Sequence, residues 1–449
     1  MSTSTALCNM APLSPSSGSF VSAPDLLRLE SFGALYYERE RCSFHALPPH
    51  LTRLLVGACH ESVLDVYARK PEAYGLNETQ LVDTVVRWQQ AGWLDSSFRC
   101  HARILTKKGP RGVLSGPMVT HLQLTHGCNL RCSHCYVSIV PKPPPDELST
   151  EMLLAMFADL QAMGSPVVVL AGGEPLFRRD IWTLIDALQT YELDAWLCTN
   201  ATLIREEEAE RLARSALRGI SVSLDGPDAA THDVIRGPKR FDHACRGVRA
   251  LVKAGARDVT LRVTVSTQNI DTLDRFAPLA EELGVAKVVF KAFRQTGEAS
   301  QEGRLLVPRD VYLETIRQVQ ERWPKGGCPA EFGDGIPNRP PEWTHIIPTF
   351  GCVGGTVSVT VNAKGRVVGC GPVETSDDWF LRDHSFQECW HRAPTIQRWR
   401  ELEGNSSCFS CSNLSRCGGG CRARALAVGR GMNGTDPWSF CSTPESSAI

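Results

Sequence analysis

Between residues 120 and 300, short apolar segments alternate with segments of helical periodicity, and this alternation limits the fold more than any other feature of the chain. Because strand–helix alternation produces right-handed crossovers, the strands should form a parallel sheet. Six units fall short of the eight that close a full barrel, so we expect an α/β fold with an open, partial (β/α)6 TIM-like barrel. The predicted strands are Thr120–Thr125, Val167–Ala171, Ala195–Thr199, Ile220–Leu224, Leu261–Val265 and Lys287–Phe290. Predicted helices between them include Glu151–Met163 and Phe276–Leu283.

The chain has 18 cysteines among 449 residues, and most of them lie in tight local clusters. The first 24 residues are rich in Ser, Ala and Pro and lack the basic start and apolar core of a secretion signal, so we expect a disordered tail there. A disulfide framework is therefore not expected. Clustered cysteines instead favour metal binding, in a cytoplasmic protein under reducing conditions.

The overall composition excludes two classes of partner. The formal net charge is −1, with 22% charged residues, and neither half of the chain is strongly basic, so nucleic acid binding is not expected. No run of apolar residues approaches the length of a transmembrane helix, so no membrane association is expected.

Three cysteines follow the first predicted strand, in the segment Cys128-Asn-Leu-Arg-Cys132-Ser-His-Cys135. Three thiolates on one short loop suit three irons of a [4Fe–4S] cluster and leave the fourth iron open to a ligand. A zinc site completed by His134 or His126, or chance clustering, remains an alternative reading of the triplet alone.

Polar motifs also follow the next three strands. A glycine pair lets the backbone approach a ligand closely, and the acidic residue after it can bind an ammonium group. Each motif alone is also explained by a turn, a capped strand end or a surface ion pair. Parallel barrels place their chemistry at the carboxyl ends of the strands, so motifs in consecutive units indicate one site. The candidate residues are Gly172, Gly173, Glu174, Pro175, Thr199, Asn200, Ser223, Asp225 and Arg236.

These motifs resemble the radical SAM superfamily, whose hallmark is a Cys-x3-Cys-x2-Cys loop followed by an aromatic residue, here Tyr136. The resemblance covers about residues 120 to 300. It implies that S-adenosylmethionine (SAM) chelates the open iron and is cleaved to a 5′-deoxyadenosyl radical. It further implies that Gly172-Gly173-Glu174-Pro175 binds the SAM amino group, Ser223 or Asp225 the ribose, and Arg236 the carboxylate. Tyr136 and Asn200 complete the predicted cofactor contacts.

A second cysteine set lies near the carboxyl end and resembles the SPASM domain, which binds two auxiliary [4Fe–4S] clusters. The resemblance assigns Cys352, Cys370 and Cys421 to the first auxiliary cluster, with Gly365 in the turn between the first two. It assigns Cys408, Cys411, Cys417 and Cys441 to the second, giving three clusters in all. The fourth ligand of the first cluster is left open between Cys328, Cys389 and an iron that binds substrate.

Residues 25 to 103 form a small β-then-α module. Leu26–Glu30 and Ala34–Glu38 predict a hairpin, a helix follows from Pro49, and a second helix begins at the Asn77–Gln80 capping box. The order resembles the winged-helix-like recognition element of ribosomal peptide (RiPP) biosynthesis. That resemblance implies capture of a leader peptide by strand addition near residues 42–46 and the helix from Asn77. A plain packing domain is the alternative.

The expected organisation has six parts: a tail at 1–24, the peptide-binding module at 25–103, a linker at 104–118, the radical SAM core at 119–310, a bridge at 311–348 and the SPASM domain at 349–449.

Together these features predict a maturase that binds the leader of a precursor peptide and forms a thioether or carbon–carbon cross-link, with an external electron donor such as flavodoxin or ferredoxin. Alternatives are processing of a cofactor-precursor peptide, as in pyrroloquinoline quinone or mycofactocin assembly, and side-chain oxidation of the sulfatase-maturing type. A metal-stabilised peptide-binding scaffold is the non-enzymatic alternative. The sequence identifies no catalytic acid or base.

Overall fold

The computed structural model describes residues 23–106, 109–110, 112–137, 139–296, 303–333, 352–373, 379–402, 408, 410–412 and 414–439. Cys8, Cys441, most of the predicted tail and part of the predicted bridge lie outside these ranges. The chain divides into two compact units, one formed mainly by residues up to Gly116 and the other mainly by residues from Pro117 onward.

The first unit contains a four-stranded sheet in the order β3-β2-β1-β4. The predicted hairpin is confirmed, because β1 and β2 pair antiparallel with Leu26 opposite Tyr37. The fourth strand, which the sequence does not predict, runs parallel to β1 and carries the sheet past residue 103. The strands are β1 Leu26–Glu30, β2 Gly33–Glu38, β3 Ser43–Leu47 and β4 Arg103–Leu105.

Three helices cover this sheet, and the predicted capping box is confirmed. The Gln80 backbone N–H donates to Asn77 Oδ1 over 2.8 Å, and the Asn77 N–H donates to Gln80 Oε1 over 2.9 Å. The apolar faces of the helices are buried with Tyr36 and Trp88 in one core. The helices are α1 Pro49–Ala58, α2 Val63–Arg69 and α3 Glu78–Gln90, with a 3-10 turn at Pro71–Ala73.

The second unit is built on a nine-stranded sheet in the order β11-β10-β9-β8-β7-β6-β5-β12-β13. All six strands that the sequence predicts are present, and they pair parallel with their sequence neighbours. These strands are β5 Val119–Gln123, β6 Val167–Ala171, β7 Asp194–Thr199, β8 Leu217–Ser223, β9 Val259–Val265 and β10 Lys287–Ala292.

The sheet continues beyond these six strands at both edges. β11 (Ala330–Phe332) pairs parallel with β10, and β12 (Ser358–Val361) pairs parallel with β5. β13 (Val367–Val368) pairs antiparallel with β12, and the two strands form a hairpin on either side of Gly365. The hairpin belongs to the barrel sheet because its buried valines need a partner strand, a long-range pairing that local patterning does not reveal. Among the described strands β11 and β13 form the sheet edges, so the barrel is open.

The second unit also contains α-helices and 3-10 turns, the latter at Pro175–Phe177, Ile270–Arg275 and Gly303–Leu305. The α-helices are α4 Thr150–Met163, α5 Ile181–Thr190, α6 Glu206–Arg214, α7 Ala229–Arg236, α8 Arg240–Lys253, α9 Phe276–Leu283, α10 Arg309–Arg322, α11 Phe386–Arg392, α12 Pro394–Arg400, α13 Leu414–Cys417 and α14 Arg422–Ala427. None of the helices in the described ranges is long and apolar enough to cross a bilayer.

Candidate active site

The loop after β5 carries the three cysteines of the Cys-x3-Cys-x2-Cys motif, and each is half-buried. Two hydrogen bonds shape the loop: the Leu130 N–H donates to Cys128 Sγ at 3.4 Å, and the Cys135 N–H donates to the carbonyl of Cys132 at 3.1 Å. The Ser133 N–H donates to the Ile235 carbonyl at 2.9 Å, which anchors the loop to α7.

The three thiols lie close enough to affect one another. Burial, with a smaller effect of the neighbouring thiols of the triplet, raises the pKa of Cys128 and of Cys135 to about 11. Burial also raises the pKa of Cys132, against the lowering effect of Arg236, whose Nη1 is 3.8 Å from Cys132 Sγ. Without a metal these thiols stay protonated, whereas a bound metal would stabilise the thiolates.

The histidines offered for a zinc site have other partners. His134 Nε2 lies 3.2 Å from Asp225 Oδ2 and 3.5 Å from Arg236 Nη2. Within the described ranges no three His, Cys, Asp or Glu side chains converge tightly enough to hold a single metal ion. Each thiolate of an iron–sulfur cluster binds a different iron, so its ligands are spaced more widely than those of one zinc ion. Three thiols on one loop can each bind one iron of a cluster, whereas His134, offered as a zinc ligand, is placed against Asp225 and Arg236.

The Gly-Gly-Glu-Pro loop after β6 packs against the cysteine loop. Gly172 has a φ of 134°, which favours glycine, and a Cβ on Gly173 would overlap the carbonyl oxygen of Gly127 and reach within 3.1 Å of Cys128 Cβ. The Glu174 N–H donates to the Gly127 carbonyl at 2.9 Å. Both glycines are thus required for the two loops to meet.

The carboxylate of Glu174 is almost fully buried, at 1% exposure. Its Oε1 accepts hydrogen bonds from Thr199 Oγ1 at 2.7 Å and from the Leu176 N–H, and its Oε2 accepts from the Asn200 N–H at 2.8 Å. Burial raises the pKa of Glu174 against these donors. Since a carboxylate has about four acceptor positions, one on Oε2 is left for a further donor, which fits an ammonium group.

Asp225 and Arg236 form a buried pair beside the cysteine loop. Arg236 Nε donates to Asp225 Oδ2 at 2.5 Å, and the Thr264 N–H donates to Asp225 Oδ1 at 2.7 Å. Burial by itself would raise the pKa of Asp225, but Arg236 and His134 hold it far below its usual range. Asp225 is therefore a permanent anion whose oxygens orient Arg236.

The remaining predicted contacts lie around the same strand ends. Asn200 donates from Nδ2 to Asn129 Oδ1 at 3.0 Å, which links it to the cysteine loop, and Pro175 is buried. Ser223 is the half-buried last residue of β8. Tyr136 is 41% exposed, and desolvation by the surrounding protein raises the pKa of its hydroxyl to about 12.

The structure adds residues that sequence reasoning missed. Pairing registers place His121, Cys198 and Arg262 on the same face of the sheet as Ser223. Arg262 on β9 lowers the pKa of His121 on β5, although three strands separate them in the sheet, so the sheet curves until this face is an interior. Alternating polar residues within the strands were a signal for this interior, but alternation alone does not identify the face that closes.

The three cysteines of the proposed first auxiliary set lie in one part of the second unit. Cys352, Cys370 and Cys421 pack in one cluster with Trp399, and burial and mutual repulsion raise the pKa of the first two thiols. Gly365, at a φ of 86°, forms the predicted turn. The charge of Arg294 lies close to all three thiols, and their thiolates raise its pKa.

Buried charges fix Cys421 in this cluster. The Cys421 N–H donates to Asp436 Oδ2 at 2.6 Å, and Asp436 forms an ion pair with Arg424. Asp436 is fully buried, and Arg422 donates from Nη1 to the carbonyls of Met432 and Gly434. These bonds satisfy the backbone of a glycine-rich segment that has little apolar core.

The two candidates for a fourth ligand lie elsewhere. The Cys328 thiol donates to the Val285 carbonyl at 3.5 Å, near the amino end of β10. Burial, with a smaller effect of the Glu281 charge, raises its pKa to about 11. Cys389 is fully buried in α11, beside Glu388 and Asp159. Of the second auxiliary set, Cys408, Cys411 and Cys417 are described, and the Cys411 N–H donates to the Cys408 carbonyl, whereas Cys441 lies outside the described ranges.

A cavity of about 500 Å³ opens beside the cysteine loop. Cys128 and Arg236 line its inner part, and the exposed residues Arg131 and Pro238 line its mouth. The cysteine loop is therefore reachable from the surface.

Comparisons with known proteins agree with this geometry. A model of the radical SAM superfamily matches residues 122–280. Mycofactocin maturase MftC from Mycolicibacterium smegmatis is 31% identical over 345 residues, which cover 74% of this chain and 85% of that protein. An AdoMet-dependent heme synthase from Oleidesulfovibrio alaskensis is 29% identical over 323 residues, which cover 68% and 82% of the two chains.

Solved structures share the fold. Streptococcus suis SuiB bound to the precursor peptide SuiA matches with a TM-score of 0.68 and 16% identity, over 97% of this chain and 100% of that one. Native anSMEcpe with bound AdoMet matches with a TM-score of 0.55 and 17% identity, over 69% and 91%. The predicted α/β fold with a largely parallel sheet is thus confirmed.

Proposed function

The chain belongs to the radical SAM superfamily, and on this premise we propose that it modifies a ribosomally made precursor peptide through a carbon radical. It is a SAM-dependent enzyme that binds a [4Fe–4S] cluster and SAM, so the prediction of an enzyme is confirmed and the non-catalytic scaffold is excluded. The observation that carries the proposal is the contact between the cysteine loop and the Gly-Gly-Glu loop, which joins the two halves of one cofactor site.

Different residues of this site bind different parts of the cofactors. Cys128, Cys132 and Cys135 hold the cluster, and Glu174 accepts a hydrogen bond from the ammonium group of SAM. The bound cluster and SAM together supply a 5′-deoxyadenosyl radical that abstracts a hydrogen atom from the substrate. Arg236 binds the SAM carboxylate.

The neighbouring polar residues position these groups. Ser223 contacts the ribose, whereas Asp225, whose oxygens are occupied by Arg236, His134 and a backbone N–H, orients Arg236. Asn200 fixes the cysteine loop through Asn129, and Tyr136 lines the interior beside Cys135. Gly172, Gly173 and Pro175 shape the loop that carries Glu174.

Two auxiliary [4Fe–4S] clusters complete the proposed cofactors. Cys352, Cys370 and Cys421, which pack together, hold the first, and Cys408, Cys411, Cys417 and Cys441 hold the second. Because Cys328 and Cys389 lie away from the first set, its fourth position is proposed to be open. Cys370→Ala should then remove about four irons per chain, while Cys328→Ala and Cys389→Ala should leave the iron content unchanged.

The first unit is the proposed binding site for the leader peptide. In the described sheet β3 is an edge strand, so it can pair with an extended peptide. Val82 and Val86 lie four residues apart on α3 and are 58% and 43% exposed, which gives an apolar stripe for leader side chains. Strand pairing would supply affinity and the stripe would supply selectivity.

This assignment is tested with the peptide encoded by a small open reading frame beside the gene. Fluorescence anisotropy should show that Val82→Asp and Val86→Asp each weaken leader binding about tenfold or more, since each replaces apolar contact with a charge. Val234→Asp, a change at a valine that is 64% exposed in the second unit, is the matched control. Equal affinities for all four proteins would remove the leader-binding assignment.

The cavity beside Cys128 is the proposed docking site of the electron donor. Arg131 and Arg240 line it, Lys239 is exposed next to it, and none of these three cations forms an ion pair within the described residues. Flavodoxins and ferredoxins are acidic, so charge complementarity favours docking here. Changing all three residues to Gln should weaken the binding of a bacterial flavodoxin and make that binding less dependent on salt concentration. SAM cleavage driven by dithionite should stay unchanged, because dithionite does not need the docking site.

The central experiment measures iron, sulfide and 5′-deoxyadenosine. Anaerobically reconstituted protein should hold about twelve irons, as three four-iron clusters require, and should release 5′-deoxyadenosine from SAM under reductant. Changing Cys128, Cys132 and Cys135 to Ala should abolish release and spare about two thirds of the iron. Cys245→Ala, at a buried thiol outside the cysteine sets, is the control. Full clusters without any peptide-dependent product would count against peptide modification.

The product is proposed to be a thioether or carbon–carbon cross-link. It would form when the substrate radical gives one electron to an auxiliary cluster as the acceptor, and a neighbouring group then loses a proton as it bonds to the oxidised carbon. The similarity to a mycofactocin maturase favours cofactor-precursor processing as the nearest alternative, and side-chain oxidation of the sulfatase-maturing type is a further one. Mass spectrometry of the treated precursor separates these when it is combined with a carbonyl probe. A loss of two hydrogens with no product that reacts with a hydrazine supports a cross-link, and the same loss with a hydrazine adduct supports side-chain oxidation to an aldehyde. A loss of carbon dioxide or of backbone fragments supports precursor processing.

A second candidate substrate is a tetrapyrrole, because heme synthases match this chain almost as well as the maturases do. Titration of the protein with iron coproporphyrin, followed by the Soret band, tests it. A saturable spectral shift together with porphyrin-dependent SAM turnover would favour the tetrapyrrole over a peptide.

A further inference from the structure

Arg262 presents a positive charge to the barrel interior without an acidic partner. It lies in the middle of β9 on the same face as Ser223, with which it is in register. Its Nε is buried and has no acceptor, and its side chain forms no hydrogen bond or ion pair with any residue of the described chain. A buried charge is normally paired, so an arginine left unpaired inside a barrel indicates a site for an anion.

The side chains around Arg262 do not supply that anion. Burial and Arg262 together lower the pKa of His121 to about 4, so its imidazole is neutral near pH 7. Burial raises the pKa of Cys198, so its thiol is neutral as well. The charge of Glu174 also raises the pKa of Cys198, and the Glu174 carboxylate accepts hydrogen bonds from Thr199 and Asn200. His121 and Cys198 therefore give Arg262 no counter-charge, and the hydrogen bonds of the Glu174 carboxylate are made with other residues.

The second arginine of the site, Arg236, differs from Arg262 because it already has a counter-charge. Arg236 is paired with Asp225, which cancels its charge. Arg262 has no such partner, and a guanidinium matches a carboxylate with two parallel hydrogen bonds.

We propose that Arg262 binds a carboxylate of a molecule that enters the barrel interior. In the proposed reaction two molecules carry one: SAM, and a peptide substrate through its C-terminus or an acidic side chain. The inference rests on the proposed function for the choice of molecule, but the pairing of Arg262 with a carboxylate can be measured without turnover.

The experiment compares cluster-loaded wild type with Arg262→Gln and Arg262→Lys under anaerobic conditions. Isothermal titration measures the affinity for SAM and for decarboxylated SAM. A second assay passes two libraries of N-acetylated hexapeptides over the immobilised protein, one with free C-terminal carboxylates and one with C-terminal amides. Mass spectrometry measures how much of each library is retained. Arg249→Gln, at an exposed arginine that pairs with Glu282 on the surface, is the matched control.

The expected result is that wild type retains the free acids about tenfold or more over the amides, that Arg262→Gln abolishes this preference, and that Arg262→Lys keeps part of it. An unchanged SAM affinity in Arg262→Gln then assigns the carboxylate to the peptide. If instead Arg262→Gln weakens SAM about tenfold or more and leaves decarboxylated SAM unaffected, the carboxylate is that of SAM.

The inference is overturned if Arg262→Gln has the wild-type affinity for SAM and retains acids and amides as the wild type does. Thermal unfolding of each variant shows whether a change reflects misfolding, and Arg262→Lys, which keeps the charge, must then differ from Arg262→Gln in binding. Release of 5′-deoxyadenosine, measured separately, tells a failure of this inference from a failure of the radical chemistry.

Discussion

The backbone N–H of Glu174 donates to the carbonyl oxygen of Gly127 over 2.9 Å, and this bond joins the loop after β6 to the residue that precedes Cys128. The contact requires that no side chain stand between the two loops. The proposed ammonium ligand and the first proposed cluster ligand are thereby held in fixed relation, which a flexible surface loop would not achieve.

Gly173→Ala should disrupt this contact. The new Cβ would overlap the Gly127 carbonyl oxygen, and backbone atoms on both sides leave it no room. We expect the thermal midpoint to fall, by an overpacking cost of about 1 to 3 kcal/mol, and 5′-deoxyadenosine release to drop at least tenfold. Gly303→Ala is the control, because its Cβ would meet only Gln295 Nε2 at 3.4 Å. Wild-type activity in Gly173→Ala would contradict the proposed loop contact.

Glu174→Gln should weaken SAM binding with little effect on iron content. The substitution keeps the shape and most of the hydrogen bonding to Thr199 and Asn200 but removes the charge that would pair with an ammonium. We expect an increase of about tenfold or more in the Kd for SAM by isothermal titration. Glu206→Gln, at an exposed ion pair with Lys253, should bind SAM as wild type does. A wild-type Kd in Glu174→Gln would exclude it as an ammonium ligand.

Asp436→Asn should destabilise the region around Cys421. The change leaves the buried guanidinium of Arg424 without its counter-charge and weakens the acceptor of the Cys421 N–H. Removing one member of a buried ion pair costs about 3 to 5 kcal/mol, measurable as a lower urea midpoint. Asp310→Asn, at a side chain that is 94% exposed, should change the midpoint very little. Equal midpoints for both variants would mean that the buried pair contributes no net stability.

Stability should fall as the pH is lowered from about 6.5 toward 4, in part because of His121. Burial and Arg262 lower the pKa of His121 to about 4 in the folded protein, against about 6.5 in the unfolded chain, so the unfolded chain binds the extra proton in this range. The free energy of unfolding should drop by up to about 2 kcal/mol for this group between pH 7 and pH 5.

Urea unfolding of wild type and His121→Asn at the two pH values isolates this contribution. His232, whose pKa burial and Arg236 also lower to about 4, acts in the same direction and is present in both proteins. The drop should be smaller in His121→Asn. An identical drop in both proteins would show that His121 titrates normally in the folded state.

Local chemistry in the sequence was enough to predict the core strands and the loops that follow them. The strands at Val167–Ala171 and Lys287–Ala292 are marked by apolar runs between helical periods, and the Asn77–Gln80 box marks a helix start. Such patterns involve only a few neighbouring residues, so they can be recognised from the sequence alone.

The sequence by itself determined the order of the parallel strands and the cysteine spacing, because both depend on residues that are near neighbours along the chain. Only the tertiary structure decided that the hairpin Ser358–Val361 and Val367–Val368 extends the barrel sheet, and that the charge of Arg262 acts on His121 across the sheet. These contacts follow from the curvature of the sheet and from pairings between distant segments. Neither leaves a periodic trace in the sequence, since each is fixed by what packs against it in space.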